Sequence, residues 1–380
     1  MTPSSPQSLP EATTSSGKPR YEILDGLRGV AALTVVLFHL FEAHSGGDAF
    51  VQKINHGYLA VDFFFMLSGF VLGYAYEDRW HKMGYLDFAR RRLIRLQPMV
   101  VMGGLVGAVC FYFGASEMFP AIAATPVWKF VLIGILGALL VPVPQSGDIR
   151  GWNEMYPLNG PAWTLFFEYL ANAAYALVLR RLAVRTLAFL ALVAGIVTFH
   201  YLLTGSRADM IGGWSLDAAQ LRVGFTRLAY PFVAGLLVFR LGRLIPVRHG
   251  FWVCAVVLVT LLSIPRLGTR DMRWPNALYE AVCITCVFPL IVATGAGSHL
   301  SGSRSRSVCL FLGRLSYPLY ISHYPFIYLY TAWVARAGVN IRAALPMMAA
   351  TLFAILTLAY LSLRFFDEPL RARLNQPKRT

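Results

Sequence analysis

Residues 60 to 73 read Ala-Val-Asp-Phe-Phe-Phe-Met-Leu-Ser-Gly-Phe-Val-Leu-Gly and hold one charged side chain, that of Asp62. Similar apolar runs recur along the chain, and a helix needs about 20 predominantly apolar residues to cross a bilayer. Hydrophobic residues make up 57% of the 380 residues and charged residues only 14%. Soluble domains carry about a quarter charged residues. The sequence therefore predicts an all-α integral membrane protein and excludes an ordinary soluble one.

The chain is basic, with 34 Lys and Arg residues against 19 Asp and Glu residues. The basic residues cluster in short segments between apolar runs, where retention of positive loops on the cytoplasmic side explains them. Because they form no patch on a soluble domain, no nucleic-acid partner is expected. Membrane lipids are the partners that this composition predicts.

The five cysteines indicate neither a disulfide framework nor a metal site. They fall in or beside apolar runs, and an odd count argues against a disulfide scaffold. Cys283 and Cys286 have the spacing of metal ligands, but a single pair without a nearby histidine is more often part of a packed helix. No metal ligand is therefore assigned.

Apolar runs and basic clusters together predict the topology. The clusters share one side only if residues 99 to 142 contribute an odd number of crossings. We therefore predict about ten transmembrane helices rather than eleven, with one candidate in that segment re-entrant or interfacial and both termini cytoplasmic. The eleven candidate spans are 27–42, 57–76, 99–117, 121–142, 162–179, 183–203, 222–241, 251–265, 278–295, 315–334 and 344–365.

Composition divides the chain into three segments. Residues 1–20 are rich in Ser, Thr and Pro and are predicted to form a disordered cytoplasmic tail. Residues 21–370 hold every apolar run and form the membrane domain, and residues 371–380 form a short basic cytoplasmic tail. Because the loops are too short for a second domain, functional residues must lie in or beside the membrane. Ionisable side chains there cost about 2.5 to 3.5 kcal/mol each and usually face a cavity or a partner.

The first span carries an acid, a base and an imidazole on one helical stripe. Asp25 lies one turn before Arg28, and His39 lies about 16 Å beyond Arg28 on nearly the same face. One interpretation is structural, with an interfacial ion pair and an interhelical hydrogen bond from His39. The other is catalytic, with His39 as general base for a hydroxyl nucleophile, because imidazole exchanges a proton near neutral pH.

The second and third spans add further polar candidates. Asp62 lies near the outer end of the second span, and Ser68 is a small residue that permits close helix packing. Arg92 and Arg95 are three residues apart and share a helical face at the entrance of the third span. Topology alone explains such arginines. Guanidinium groups also bind phosphates in a bidentate manner, which makes both residues candidate ligands of a phosphorylated cytoplasmic donor.

A later span begins near Trp163 and places Glu168 within its first two turns. An unpaired carboxylate at this depth is costly, and the neighbouring Asn172 cannot neutralise it. Glu168 therefore requires a cationic partner, a protonated state or access to water, and each of these is compatible with a functional cavity.

The last candidates lie in a tyrosine-rich segment. We expect a helix to start there, with Ser316 as its N-cap and a proline in its first turn. Tyr317 and Tyr320 then share a face with Tyr324, and His323 lies beside that stripe. An aromatic belt at the membrane interface explains the tyrosines better than it explains the histidine.

In order and spacing these residues resemble the motifs of acyltransferase family 3, multi-pass membrane enzymes that O-acylate sugars and related molecules. One motif of the family is a basic residue followed, after ten intervening residues, by a histidine. In this sequence that motif falls on Arg28 and His39. The family's Asp-Phe-Phe-Phe-x-Leu-Ser-Gly-Phe stretch falls on residues 62–70, and its Arg-x-x-Arg pattern falls on Arg92 and Arg95.

Two further patterns of the family lie later in the chain. Its Trp-Ser-Leu-x-x-Glu pattern falls on Trp163 to Glu168, with Thr164 in place of the commoner serine. Its Ser-Tyr-x-x-Tyr-x-x-His pattern falls on Ser316 to His323. The resemblance covers roughly residues 21–370. It includes no fused periplasmic hydrolase-like domain, so a second transfer step by this chain is not expected.

The resemblance implies a multi-pass O-acyltransferase of the bacterial cytoplasmic membrane. Its donor would be acetyl-coenzyme A or another acyl-CoA, bound only as a substrate, and its acceptor a hydroxyl of a cell-surface or exported carbohydrate or glycolipid. In this hypothesis Arg92 and Arg95 bind the coenzyme A phosphates, and His39 acts as the base. Arg28 and Glu168 polarise or orient the reacting groups. The residues expected to support the substrates are Asp25, Asp62, Ser68, Trp163, Tyr317, Tyr320 and His323.

Two alternatives stay open on the sequence alone. A covalent acyl-His39 intermediate is an alternative to direct transfer. A transporter or proton-coupled carrier is an alternative to the enzyme, with Arg28, His39 and Glu168 as its ion pathway.

Overall fold

The structure, a computed structural model, describes residues 18, 20–300 and 302–376, and these residues form helices and loops without a β-strand. Most of the predicted tail at 1–20 lies outside the described residues, as do residues 377–380. Two π-helical segments, Cys283–Val287 and Ser362–Asp367, join helices end to end. The α-helices are α1 (Glu22–Glu42), α2 (Ala60–Tyr76), α3 (Tyr85–Phe111), α4 (Pro120–Ala123), α5 (Val127–Ala138), α6 (Ala162–Leu177), α7 (Val184–Thr204), α8 (Ala218–Leu241), α9 (Gly250–Ser263), α10 (Trp274–Val282), α11 (Phe288–Gly297), α12 (Ser303–Ser322), α13 (Tyr324–Ala337), α14 (Ile341–Leu361) and α15 (Glu368–Leu374).

Eight helical segments of the described chain are long and apolar enough to cross a membrane, while α5 and α9 are apolar but shorter. With 12 residues α5 extends about 18 Å, well short of a hydrocarbon core of about 30 Å. The carbonyl of Ala138 at its end accepts a 2.5 Å hydrogen bond from Gln97, within α3. The chain then returns to Asp148, whose carbonyl contacts Lys129 in the first turn of α5. This short helix and the returning chain are compatible with the re-entrant or interfacial candidate expected in residues 99–142, which stays a prediction, as do the total number of crossings and the side of the termini.

Small residues allow the central helices to pack at short distance. A Cβ atom on Gly29 of α1 would collide with the backbone of Leu312 in α12. A Cβ atom on Gly69 of α2 would likewise collide with the carbonyl of Phe232 in α8. Close contact of small residues is a common way to join membrane helices. These two contacts join α1 closely to α12 and α2 closely to α8.

The predicted helix start at Ser316 is wrong, because Ser316 and Pro318 lie inside α12. The first half of α12 contains basic residues, so it does not form an apolar run and was not predicted as part of the helix. Pro318 has no N–H to donate to the carbonyl of Arg314, four residues earlier, yet the helix continues through it to Ser322.

The true break comes at His323, between α12 and α13. Pro325 has no N–H to donate to the carbonyl of Ile321, four residues earlier. That carbonyl instead accepts a 2.9 Å hydrogen bond from the side chain of Asn159. The predicted span 315–334 is therefore two helices, with His323 at the junction.

Candidate functional site

A cavity of about 630 Å³ opens at the end of the bundle where α1, α3 and α12 carry arginines. Eight basic and three acidic side chains line the cavity, which gives it a net positive charge. Such a cavity is suited to a ligand with several negative charges. The lining basic residues are Lys18, Arg20, Arg28, Arg79, Arg92, Arg95, Arg314 and Arg371, and the acidic ones are Asp25, Glu168 and Glu368.

An ion pair between Arg92 and Glu168 lies in the wall of the cavity. A guanidinium nitrogen of Arg92 is 2.6 Å from Oε1 of Glu168, and the two side chains are 6% and 21% exposed. Ser68 donates a 3.2 Å hydrogen bond to the same carboxylate oxygen. Of the three possibilities that the sequence left open for Glu168, the structure provides a cationic partner, Arg92. The Nε atom of Arg92 is buried and has no partner among the described residues.

Arg28 joins α1 to α12 beside the cavity. Its Nε atom donates to Ser316 Oγ at 2.8 Å, and a terminal nitrogen donates to the carbonyl of Gly313 at 3.2 Å. Asp25 pairs with the same guanidinium at 3.1 Å. The ion pair of the structural interpretation is therefore present in the structure. These contacts also show that the hydrogen-bonding capacity of Arg28 is largely used inside the protein, although its side chain still lines the cavity.

Five of the lining basic residues are paired with carboxylates in the structure. Arg20, Arg79 and Arg95 form no ion pair with the residues that the structure describes. Arg95 is exposed and lies one turn beyond Arg92 on α3. These three arginines supply the uncompensated positive charge of the cavity.

Aromatic rings close the inner end of the cavity. The rings of Phe64 and Tyr320 meet edge to face with centroids 5.2 Å apart, and both side chains line the cavity. The hydroxyl of Tyr320 donates to Thr164 Oγ1 at 3.1 Å, which holds the ring in place. Tyr317, about one turn before Tyr320 on α12, donates to the carbonyl of Leu96 at 2.6 Å. Two of the predicted tyrosines are therefore wall residues of the cavity.

His39 lies beyond this closed end, near the last turn of α1. Its ring is stacked on that of His323 at 5.5 Å and meets the ring of Tyr324 edge to face at 4.8 Å. The Nδ1 atom of His39 is 2.7 Å from Oε2 of Glu42. The ring of Tyr320 is 5.9 Å from that of His323, so two ring contacts separate the cavity from His39. We call His39, Glu42, His323 and Tyr324 the histidine cluster.

The histidine cluster is connected through α13 to the loop between α5 and α6. The ring of Tyr324 meets that of Tyr328 at 4.7 Å, and the Tyr328 hydroxyl donates to Glu154 at 2.5 Å. Glu154 lies in the loop between α5 and α6, and burial raises its pKa to about 8. Burial thus favours the protonated form of this carboxyl group.

Two predicted site residues lie away from both the cavity and the histidine cluster. Asp62 forms a fully buried ion pair with Arg227 of α8 at 2.8 Å. Trp163 packs over the same guanidinium, with 5.3 Å between the guanidinium carbon and the ring centroid. The structure thus places both residues in a contact that connects α2, α6 and α8.

Sequence reasoning missed several residues of the site. Glu42 could have been found, because it lies three residues after His39 and therefore on the same side of one helix. Arg20, Arg79 and Arg371 could not, because only the tertiary fold brings these distant segments to one cavity.

Comparisons with known proteins agree with the motifs. A sequence-family model described as an acyltransferase domain matches residues 21–364. The protein "Protein 2 in picA locus" of Rhizobium radiobacter is 34% identical over 171 residues, covering 41% of this chain and 81% of that protein. O-acetyltransferase OatA of Staphylococcus aureus is 24% identical over 375 residues, covering 93% of this chain and 58% of OatA.

A similar match is found with the peptidoglycan O-acetyltransferase OatA of Listeria monocytogenes, which is 24% identical over 378 residues. That match covers 94% of this chain and 57% of the relative. The chain therefore spans a little under three fifths of the length of these two O-acetyltransferases. No solved structure matches the chain.

Proposed function

The chain belongs to acyltransferase family 3, and on that premise we propose that it transfers an acetyl group from acetyl-CoA to a hydroxyl of a cell-surface or exported carbohydrate. The observation that carries this proposal is the positive cavity, which ends two ring contacts from a hydrogen-bonded histidine. The membrane would be the bacterial cytoplasmic membrane, with the mouth of the cavity on its cytoplasmic side, as the basic loops predict.

The charges of the cavity support a coenzyme A donor. Coenzyme A carries several phosphate charges at one end and a thioester at the end of a long, uncharged arm. Arg20, Arg79 and Arg95 are free of internal ion pairs in the described chain, and guanidinium groups bind phosphate oxygens in a bidentate manner. With the phosphates at the mouth, the arm extends along the cavity toward Phe64 and Tyr320.

The histidine cluster supports the chemistry at the other end. In direct transfer, the Nε2 atom of His39 takes the proton of the acceptor hydroxyl, and the hydroxyl oxygen attacks the thioester carbonyl. The carbon–sulfur bond then breaks, and coenzyme A leaves as a thiolate that takes up a proton. His39 is 18% exposed at the end of α1 opposite the cavity mouth. An acceptor can therefore approach it from that side. Transfer also requires that the ring of Tyr320 move aside to admit the thioester, because this ring lies between the cavity and the histidine cluster.

The test uses membranes that contain the chain, acetyl-CoA labelled in the acetyl group, and extracted cell-envelope glycan. We expect base-labile label in the glycan only when the chain is present, because a carrier alone forms no ester. Membranes from the same cells without the chain are the control. Equal label in both preparations would contradict acetyl transfer to these acceptors and favour the transporter alternative.

Arg95 offers a test of the donor site. Arg95→Ala is expected to raise the KM for acetyl-CoA about tenfold with little change in kcat, because a hydrogen bond to a charged group contributes about 1.5 to 3 kcal/mol. Initial rates over a range of donor concentrations measure this. Arg90→Ala is the matched control, since Arg90 is exposed on the same helix and does not line the cavity. Equal KM values for the two variants would contradict the assignment.

A further inference from the structure

Glu42 is the last residue of α1, and none of the motifs quoted above includes it. A carboxylate at the C-terminal end of a helix is unfavourable, because the helix dipole is negative there. Glu42 nevertheless occupies this position, one turn beyond His39, and its Oε2 atom lies 2.7 Å from the Nδ1 atom of His39. The side chain of Glu42 is 38% exposed, so burial does not explain its position.

The hydrogen bond fixes the tautomer of His39. A carboxylate oxygen only accepts, so the Nδ1 atom of His39 carries the proton and donates it to Glu42. The Nε2 atom of a neutral His39 is then left with a free lone pair. A base that must take a proton from a hydroxyl needs that lone pair, and a carboxylate also stabilises the imidazolium that forms.

The neighbouring histidine has a fixed tautomer as well. The Nδ1 atom of His323 is 2.7 Å from the carbonyl of Tyr320 and must donate to it. Its Nε2 atom is buried and has no partner among the described residues. The titratable side chains that contact the His39 ring are Glu42 from its own helix and His323 and Tyr324 from the junction of α12 and α13. Only Glu42 among them is an acid that can balance the charge of a protonated His39.

We propose that Glu42 is a positioning residue that holds His39 in the Nδ1-protonated form and stabilises the imidazolium during acyl transfer. This inference rests on the proposed function, in which His39 is the base. Glu42 itself touches neither substrate. Its effect is therefore expected in kcat and in the pH dependence of the rate, and not in the KM for the donor.

Glu42→Gln tests the proposal, because glutamine keeps the shape of the side chain and loses its charge. We expect kcat to fall by about 10- to 100-fold, by analogy with the loss of activity when a carboxylate that orients a metal-bound histidine is removed. The acid limb of the pH–rate profile should move to lower pH by about one unit, because the protonated ring loses an adjacent negative charge. The KM for acetyl-CoA should stay within twofold of wild type.

Two further variants make the result specific. Glu42→Asp keeps the charge and is expected to retain the acid limb of the wild-type profile with a smaller loss of kcat. Asp48→Asn removes a carboxylate from the next loop, where Asp48 pairs with Arg270. It is expected to behave as wild type, which excludes a general effect of surface charge.

The outcomes separate this inference from the proposed function. An active wild-type chain with an unchanged kcat and pH profile in Glu42→Gln would overturn the role of Glu42 and leave the acyltransferase proposal intact. A wild-type chain that transfers no acetyl group would overturn both. A fall in kcat in Glu42→Gln without any displacement of the acid limb would also overturn the role of Glu42, because a merely structural effect produces that pattern.

Discussion

Replacement of His39 by alanine is expected to lower the rate of acetyl transfer by about 10²- to 10⁴-fold, the usual contribution of a positioned general base. Binding of acetyl-CoA should be unchanged, because His39 does not line the cavity that we assign to the donor. The measurement compares base-labile label in glycan with the amount of labelled donor retained by the same membranes. Loss of transfer with retained binding would place His39 in the chemical step.

The matched control is His44→Ala. His44 lies five residues later and its Nε2 atom contacts the hydroxyl of Tyr330 at 2.7 Å, outside the histidine cluster. It is expected to retain transfer. If His39→Ala were as active as His44→Ala in chains of equal abundance, His39 would not be the base. If acyl label instead accumulated on the wild-type chain and not on His39→Ala, the covalent acyl-His39 route would replace direct transfer.

The fold was predictable where charge and hydropathy agree. Residues 60–73 and most other apolar runs form helices close to the predicted bounds, because no competing signal is present there. The prediction failed for α12, where arginines at the start of the helix interrupt the apolar pattern. It also missed the helix break at His323, although Pro325 marks it in the sequence. The side chain of Asn159, more than 150 residues away, binds the carbonyl that Pro325 leaves free, and this contact could not be predicted.

The site was predictable as a set of residues and not as an arrangement. Motif spacing identified Arg92 and Glu168, but nothing in either segment indicates that they pair with each other. Asp62 illustrates the converse, because its partner Arg227 belongs to no motif and lies on α8. Spacing within one helix carries geometric information, whereas pairing between helices depends on the tertiary fold. Glu42 was missed although spacing could have identified it, since its relation to His39 lies within α1.

The ion pair between Arg92 and Glu168 should matter for both stability and transfer. Glu168→Ala leaves a guanidinium that is 6% exposed without its carboxylate, and breaking a buried pair costs about 3 to 5 kcal/mol. We expect a lower midpoint of thermal unfolding in detergent and no detectable transfer. The double variant Arg92→Met with Glu168→Leu removes both charges, so its midpoint should recover toward wild type while transfer stays absent.

The pair between Arg240 and Glu77 provides the matched control, with a 2.6 Å contact and side chains 9% and 26% exposed. Neither residue lines the cavity. Glu77→Ala should therefore lower the midpoint by a similar amount, while the protein that stays folded retains transfer. Transfer by the double variant at Arg92 and Glu168 would show that this pair only holds α3 against α6. Loss of transfer despite recovered stability would show that the two charges act on the substrates, because the helices are then held together without them.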